Sequence, residues 1–393
     1  MTRGKVYLFW ALIGLLGPIV NAAEMGTPVH VTVYKEEGRF LGWPANGGLA
    51  WRWGDEILVS FLNGVHKDTP KGHAIDKRKP HEEWFARSLN GGLTWNAEHP
   101  VAPNSVDPYE NPGDGRAPTD PVGGINFTDP NFVMLNHVTM TTPRAFDPNT
   151  NRPGARAYFQ YSYDRGKTWS PRYWLPNFGF EGVWARTDYL VKSSSECQVF
   201  LTVKNPDDNA LGMGRCIAVR TTDGGKTWTL DGLIGPAPVG TSRIMSSTVR
   251  LSPTTLISAL RTTSPETGSI NVYRSENDGK TWTFLSEPVA WGAQAKTTPP
   301  SLLQLQDGRV ALIYGDRREP YRMCATLSSD GGKSWGPELT LRSGAGNFDF
   351  SYPRSVQRAD GKIVTVYYWN EGPDPATNLR YIAATIWAPP PRS

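Results

Sequence analysis

SLNGGLTW, residues 88–95, returns four more times along the chain, as SYDRGKTW at 162–169, TTDGGKTW at 221–228, SENDGKTW at 275–282 and SSDGGKSW at 328–335. Every copy reads Ser/Thr, any residue, Asp/Asn, any residue, Gly, any residue, Ser/Thr, Trp. Asp or Asn followed by Gly is the chemistry of a tight turn: the short polar side chain bonds nearby backbone N–H groups, and Gly accepts a positive φ. The hydroxyl residues at either end can satisfy further backbone groups, and the Trp supplies an apolar plate that pins the turn to a core. The stretches before the boxes, such as CIAVRT (216–221), INVYRS (270–275) and RMCATLS (322–328), are alternating or β-branched and read as strands. Each box is therefore a hairpin connection, and its Asp, Gly and Trp are folding devices rather than chemistry.

Successive boxes start 74, 59, 54 and 53 residues apart. A repeat of that length holds about four strands, which is one blade of a β-propeller. GGLAWRWGDEILVSFLNG (47–64) supplies two strands before the first box. SVQRADGKIVTVYYW (355–369) and YIAATIW (381–387) supply a sixth blade without a box, which VHVTVYKE (29–36) completes, closing the ring. The expectation is an all-β, six-bladed propeller over residues 24–393. A seventh blade stays open, because the first spacing hides a long segment rich in Pro, Asn, Asp and Gly (about 97–156).

Residues 1–23 read as a secretory signal: Arg3 and Lys5, an apolar run from Val6 to Val20, then Asn-Ala-Ala. The run is short for a membrane span. A soluble, exported monomer is expected, without membrane insertion. The net charge of +4 is too weak to argue for nucleic acid. No Cys/His cluster has metal-ligand spacing, and no cofactor is implied. Cys197 and Cys216 fall on neighbouring strands of one blade, where a bridge and two free buried thiols are both open; Cys324 has no obvious partner.

A propeller gathers one loop per blade around a central pit on the face opposite the boxes. The repeated boxes resemble the sialidase-like superfamily, whose members carry bacterial neuraminidase repeats, over nearly the whole mature chain. That resemblance implies an Arg-x-Pro on the first strand, an acid in the first blade, a Glu followed by an Arg, a third Arg before a late box, and a Tyr nucleophile beyond it. Arg261 in LISALRTT (256–263) matches the second arginine, and Arg317 or Arg318 in YGDRREPY (314–321) the third. Tyr352 in FDFSYPRS (348–355) matches the tyrosine, and Asp68 or Asp76 the acid. Two elements are absent: the Arg-x-Pro position reads Gly42-Trp43-Pro44, and the Glu position falls in SRIMSSTVRLS (242–252), which has no carboxylate.

A tyrosine is a poor nucleophile until a buried carboxylate withdraws its proton, so the loss counts against ordinary sialidase chemistry. The remaining arginines favour an anionic sugar. The first-blade loop HKDTPKGHAIDKRKPHEE (66–83) adds His66, His73, His81, Lys67, Lys71 and Lys79. A His near neutral pKa beside Lys and Tyr suits proton abstraction from the carbon next to a uronate carboxylate. Arg186 and Asp188 in WARTDYL (184–190), Lys204, Arg243, Arg250 and Arg354 could also face the pit, and Trp43, Trp51, Trp53, Trp174, Trp184 and Trp291 could stack on sugars. The expected catalytic residues are Tyr352, His73, Asp76 and Arg261. The expected substrate contacts are Arg317, Arg318, Arg186, Asp188, Lys67, Arg354, Lys204 and Trp43. The expected partner is an acidic oligo- or polysaccharide, cleaved by β-elimination at a uronate. An exo-sialidase-type hydrolase and a non-catalytic glycan-binding propeller are the alternatives.

Overall fold

The computed structural model describes residues 25–392 apart from 70–71, 100–117, 141–154, 186–187, 205–213, 237–239, 294–295 and 373–377. Its strands form six antiparallel sheets, the blades of one propeller. In blade 1, Arg39–Gly42 and Ala50–Trp53 both pair with Glu56–Val65, which is followed outward by Glu82–Ser88 and Asn96–Glu98. Blade 2 has Val133–Met140, Ala155–Ser162 and Tyr173–Trp174. Blade 3 repeats the split inner strand: Gly182–Trp184 and Tyr189–Val191 pair with Cys197–Lys204, then come Arg215–Thr221 and Thr229–Ile234. Blade 4 comprises Ser242–Arg250, Leu256–Thr263, Gly268–Ser275 and Thr283–Gly292. Blade 5 comprises Ser301–Gln304, Val310–Asp316, Arg322–Ser328 and Leu339–Ser343. Blade 6 joins both ends of the chain: Ser351–Gln357, Ile363–Trp369 and Tyr381–Trp387 are completed by Val29–Tyr34. No seventh sheet occurs among the described residues, and the long segment after the first box supplies blade 2.

The five boxes share one bonding scheme. The first hydroxyl accepts the N–H of the conserved-position Gly, at 2.8 Å for Ser88 and Gly92 and 2.9 Å for Thr221 and Gly225. The Asp or Asn oxygen accepts the N–H four residues on, at 2.9 Å in all five copies. The glycines at 92, 166, 225, 279 and 332 have φ between 81° and 92°, which is why no other residue stands there. In four copies the Trp indole N–H closes the turn on the Gly carbonyl; Trp335 instead donates to Ser286 Oγ.

Register puts the boxes and the pit at opposite strand ends. Ser88 pairs with Ile57 at the start of Glu56–Val65, whereas Val65 pairs with Arg39 and leads into the 66–81 loop. Leu256 pairs with box residue Ser275, so Arg261 lies toward the other end of its strand. Val310 pairs with Ser328, so Arg317, following Asp316, does the same.

Cys197 and Cys216 do lie on paired strands, but Cys197 faces Thr221 and Cys216 faces Thr202. Five residues of strand separate the two positions, roughly 17 Å at about 3.4 Å per residue, and no bridge can form. All three cysteines are free and buried.

Candidate functional site

The inner strands are irregular where they pass the centre. Trp43, Met245 and Tyr352 are left-handed, with φ of 57°, 55° and 58°. The registers of Ser242–Arg250 and Ser351–Gln357 slip between Ile244 and Ser247 and between Ser351 and Arg354. A bulge of this kind re-aims a side chain; Met245 and Tyr352, from blades 4 and 6, pack in one cluster with residues of blade 1.

Around that centre stands one connected polar group. His73 Nδ1 lies 2.6 Å from Asp349 Oδ1. Asp349 also accepts the Ala74 N–H (2.9 Å), the Tyr368 hydroxyl (2.8 Å) and Arg380 Nε (2.9 Å). Burial opposes ionisation of Asp349, yet His73, Arg380 and the Ala74 amide outweigh it and hold the carboxyl well below the usual range. The short contact to a carboxylate places the His73 proton on Nδ1, and Nε2 makes no hydrogen bond among the described residues. The ring stands edge-on to Trp43 (4.9 Å) and Tyr352 (6.0 Å) and keeps 23% of its side chain exposed. Burial lowers the His73 pKa, against the upward pull of Asp349 and with the help of Arg317 and Lys77. The imidazole is thus a neutral base held by a carboxylate.

Two arginines flank Tyr352. Arg261 Nη1 lies 3.5 Å from the Tyr352 hydroxyl and 4.0 Å from Met245 Sδ, while its Nε donates to Thr297 Oγ1 at 2.8 Å. Arg317 stands over the Tyr352 ring at 5.7 Å and donates to the Phe350 carbonyl (2.8 Å) and the Tyr368 hydroxyl (3.1 Å). Tyr368, wholly buried beside Asp349, is raised well above an ordinary phenol by burial and by that carboxylate. Lys296, at the mouth, lies 3.2 Å from the centre of the Phe348 ring; burial and Arg317 lower its pKa.

The structure therefore brings together Tyr352, His73, Arg261, Arg317 and Trp43. Most of the other expected site residues that the structure describes make other contacts. Asp76 is taken up by its own loop, where it pairs with the exposed Arg78 at 3.1 Å and accepts the Arg78 N–H. Arg318 turns to Asp316, at 2.9 Å, with 56% of its side chain exposed. Arg354 is buried and donates to the Gly48 and Ala45 carbonyls. Asp188, raised by burial and restrained by Arg354, accepts the Thr248 N–H at 2.7 Å. These last two tie inner strands together below the pit and are structural. Lys67 is an exposed loop residue, and Lys204 is buried at the pit-side end of blade 3. Arg186 and Lys71 lie outside the described residues, as do residues 1–24. Of the other first-blade candidates, Asp68 is exposed, the His66 backbone N–H donates to the Gly38 carbonyl at 2.9 Å, and His81 Nδ1 lies 3.4 Å from the Lys79 carbonyl of its own loop. Asp349, Tyr368 and Arg380 were not anticipated; a lone Asp between Phe348 and Phe350, three residues before Tyr352, was the available signal.

Fold and site together define a six-bladed sialidase-like propeller whose pit is built on tyrosine, histidine and arginine. The chain belongs to the BNR repeat-like domain family, matched over residues 82–365. Among solved structures it is similar to a protein of unknown function from Dyadobacter fermentans, with 18% identity and a TM-score of 0.67 over 94% of this chain and all of that one. It is similar to the NanB sialidase of Streptococcus pneumoniae, with 12% identity and a TM-score of 0.55 over 96% and 70%. It is also similar to the Penicillium chrysogenum alpha-L-arabinanase complexed with arabinobiose, with 14% identity and a TM-score of 0.55 over 92% and 98%. At such identities the likeness is one of fold. No curated protein sequence matches the chain significantly.

Proposed function

We propose that this protein is an exported carbohydrate-active enzyme that cleaves an acidic glycan by β-elimination at a uronate. The observation that carries the reading is the His73–Asp349 pair beside Tyr352 and two arginines, where the carboxylate of the sialidase pattern is replaced by Met245. Arg261 and Arg317 hold the uronate carboxylate. His73 Nε2 takes the proton from the adjacent ring carbon, and the arginines stabilise the enolate-like anion that results. The bond from the β carbon to the glycosidic oxygen then breaks as a carbon–carbon double bond forms, and the Tyr352 hydroxyl protonates the departing oxygen. Asp349 fixes the imidazole tautomer and needs no proton of its own.

A second reading, a sialidase-type hydrolase with Tyr352 as nucleophile, is favoured by the approach of Arg261 to the Tyr352 hydroxyl. The purified protein is to be incubated with pectin, ulvan, gum and sialylated substrates. Ultraviolet absorbance from an unsaturated uronate is expected. Free sialic acid without that absorbance would assign the hydrolase, and binding without turnover would assign a lectin-like module. His73→Ala and Tyr352→Phe are each expected to lower kcat by about a hundred- to ten-thousandfold while leaving Tm near that of the parent. An unchanged rate in either removes that residue from the chemistry.

A further inference from the structure

A cavity of about 440 Å³ opens in the groove between blades 2 and 3, away from the pit. One wall is Arg156, near the end of its strand remote from the second box, and Trp174, both of blade 2; the other is Lys226 and Trp228 of the third box. The volume is in the range of sites that take small ligands.

The chemistry of the walls is that of an anionic sugar site. The Arg156 guanidinium carbon lies over the Trp174 ring, 4.1 Å from its centre, a cation–π contact that leaves the N–H donors free to meet an anion. Among the described residues Arg156 has no carboxylate partner, Lys226 is exposed without one, and the Trp174 indole N–H makes no hydrogen bond. Asp120, exposed on the same rim, offers an acceptor for sugar hydroxyls. Arg87, Arg220, Arg250, Arg309 and Arg322 all meet carboxylates. Here two cations without a carboxylate partner among the described residues and an indole N–H without a hydrogen bond line one cavity.

We propose that this groove is a second glycan-binding site, taking a sugar that carries an anionic group, with Arg156 and Lys226 on the anion and Trp174 against the ring. The site holds polymer on the enzyme without reacting with it.

The test is affinity electrophoresis of the full chain in gels containing polygalacturonate, dextran sulfate or neutral dextran. The Arg261→Ala background weakens the grip of the pit. Retardation by polygalacturonate assigns a carboxylate ligand and retardation by dextran sulfate a sulfate ester; neutral dextran is expected to give none. Adding Arg156→Ala and Lys226→Ala is expected to weaken the retardation about tenfold or more, as loss of charge-assisted hydrogen bonds requires. Lys226→Ala alone, at an exposed position, is expected to give a partial loss with unchanged Tm. Retardation that survives the double change, is absent in both charged gels, or is equal in neutral dextran overturns the proposal. The readout is binding, so failure of the lyase reading leaves it unaffected.

Discussion

Asp349 shows how one buried charge can set the behaviour of a pit. It receives four hydrogen bonds and takes its neighbours with it, holding His73 in one tautomer and Tyr368 as a donor. Because burial lowers the His73 pKa, the base stays neutral to lower pH than a free histidine. Turnover is therefore expected to rise through a pH below about 6.5. Asp349→Asn removes the upward pull, so this limb should move to still lower pH while kcat falls. A limb that stays in place would show that another group titrates. Glu83 is the opposite case: beside Ser60 and pressed against Gly47, where a Cβ would meet its Oε1 at 2.5 Å, it is pushed up to about 7 by burial. A folded-state pKa raised from 4.5 penalises the fold as pH climbs between the two values. The penalty is on the order of 3 kcal/mol once both states are ionised. Glu83→Gln should raise Tm relative to the parent above about pH 7 and lose that advantage in mild acid; an equal difference at both would refute the account.

At the scale of elements, the boxes do more than turn the chain. In blades 1 and 3 the arginine just before the box reaches the backbone of the next blade's box: Arg87 Nη2 donates to the Arg165 carbonyl at 2.9 Å, and Arg220 Nη2 to the Asp278 carbonyl at 2.6 Å. Both recipients are left-handed fourth residues of their boxes. Arg358 makes the same contact from blade 6 to the Gly91 carbonyl at 3.0 Å. Arg220 also meets Glu196, Asp231 and Asp278, so its removal would leave three carboxylates crowded together. Arg220→Ala is expected to cost about 3–5 kcal/mol. Arg274→Ala, at the equivalent place but bound, among the described residues, only to the exposed Glu276, should cost at most about 1 kcal/mol. Comparable losses in denaturant unfolding would show that the latch is not the source. The hairpin role of each box was legible because its chemistry is local. The latches were not, since they join residues 58, 78 and 267 positions apart.

For the whole molecule, the ring and its count of six followed from box spacing and alternation, as did the closing role of the Val29–Tyr34 strand. The site was legible only in part. Tyr352, Arg261 and Arg317 were found through resemblance, and His73 through the charge density of its loop. Asp349, Tyr368 and Arg380 come from three stretches of blade 6 and meet only once it has folded. For Cys197 and Cys216 the sequence left a bridge and free thiols both open, because membership of a blade says nothing about which strand end a residue occupies; the structure gives free thiols. Deleting residues 25–35 should open the ring and lower Tm by many degrees, since Tyr381–Trp387 would become an exposed edge. An unchanged melt would show that five complete blades and a partial sixth suffice.

That seam also orders events in time. Val29–Tyr34 leaves the ribosome long before Tyr381–Trp387 and must wait for it, unpartnered. Until that later strand is made, any assembled blades form an open arc with a raw border at each tip. Only its emergence lets the two borders meet, so translation, rather than local folding speed, sets the earliest moment at which the pit can exist.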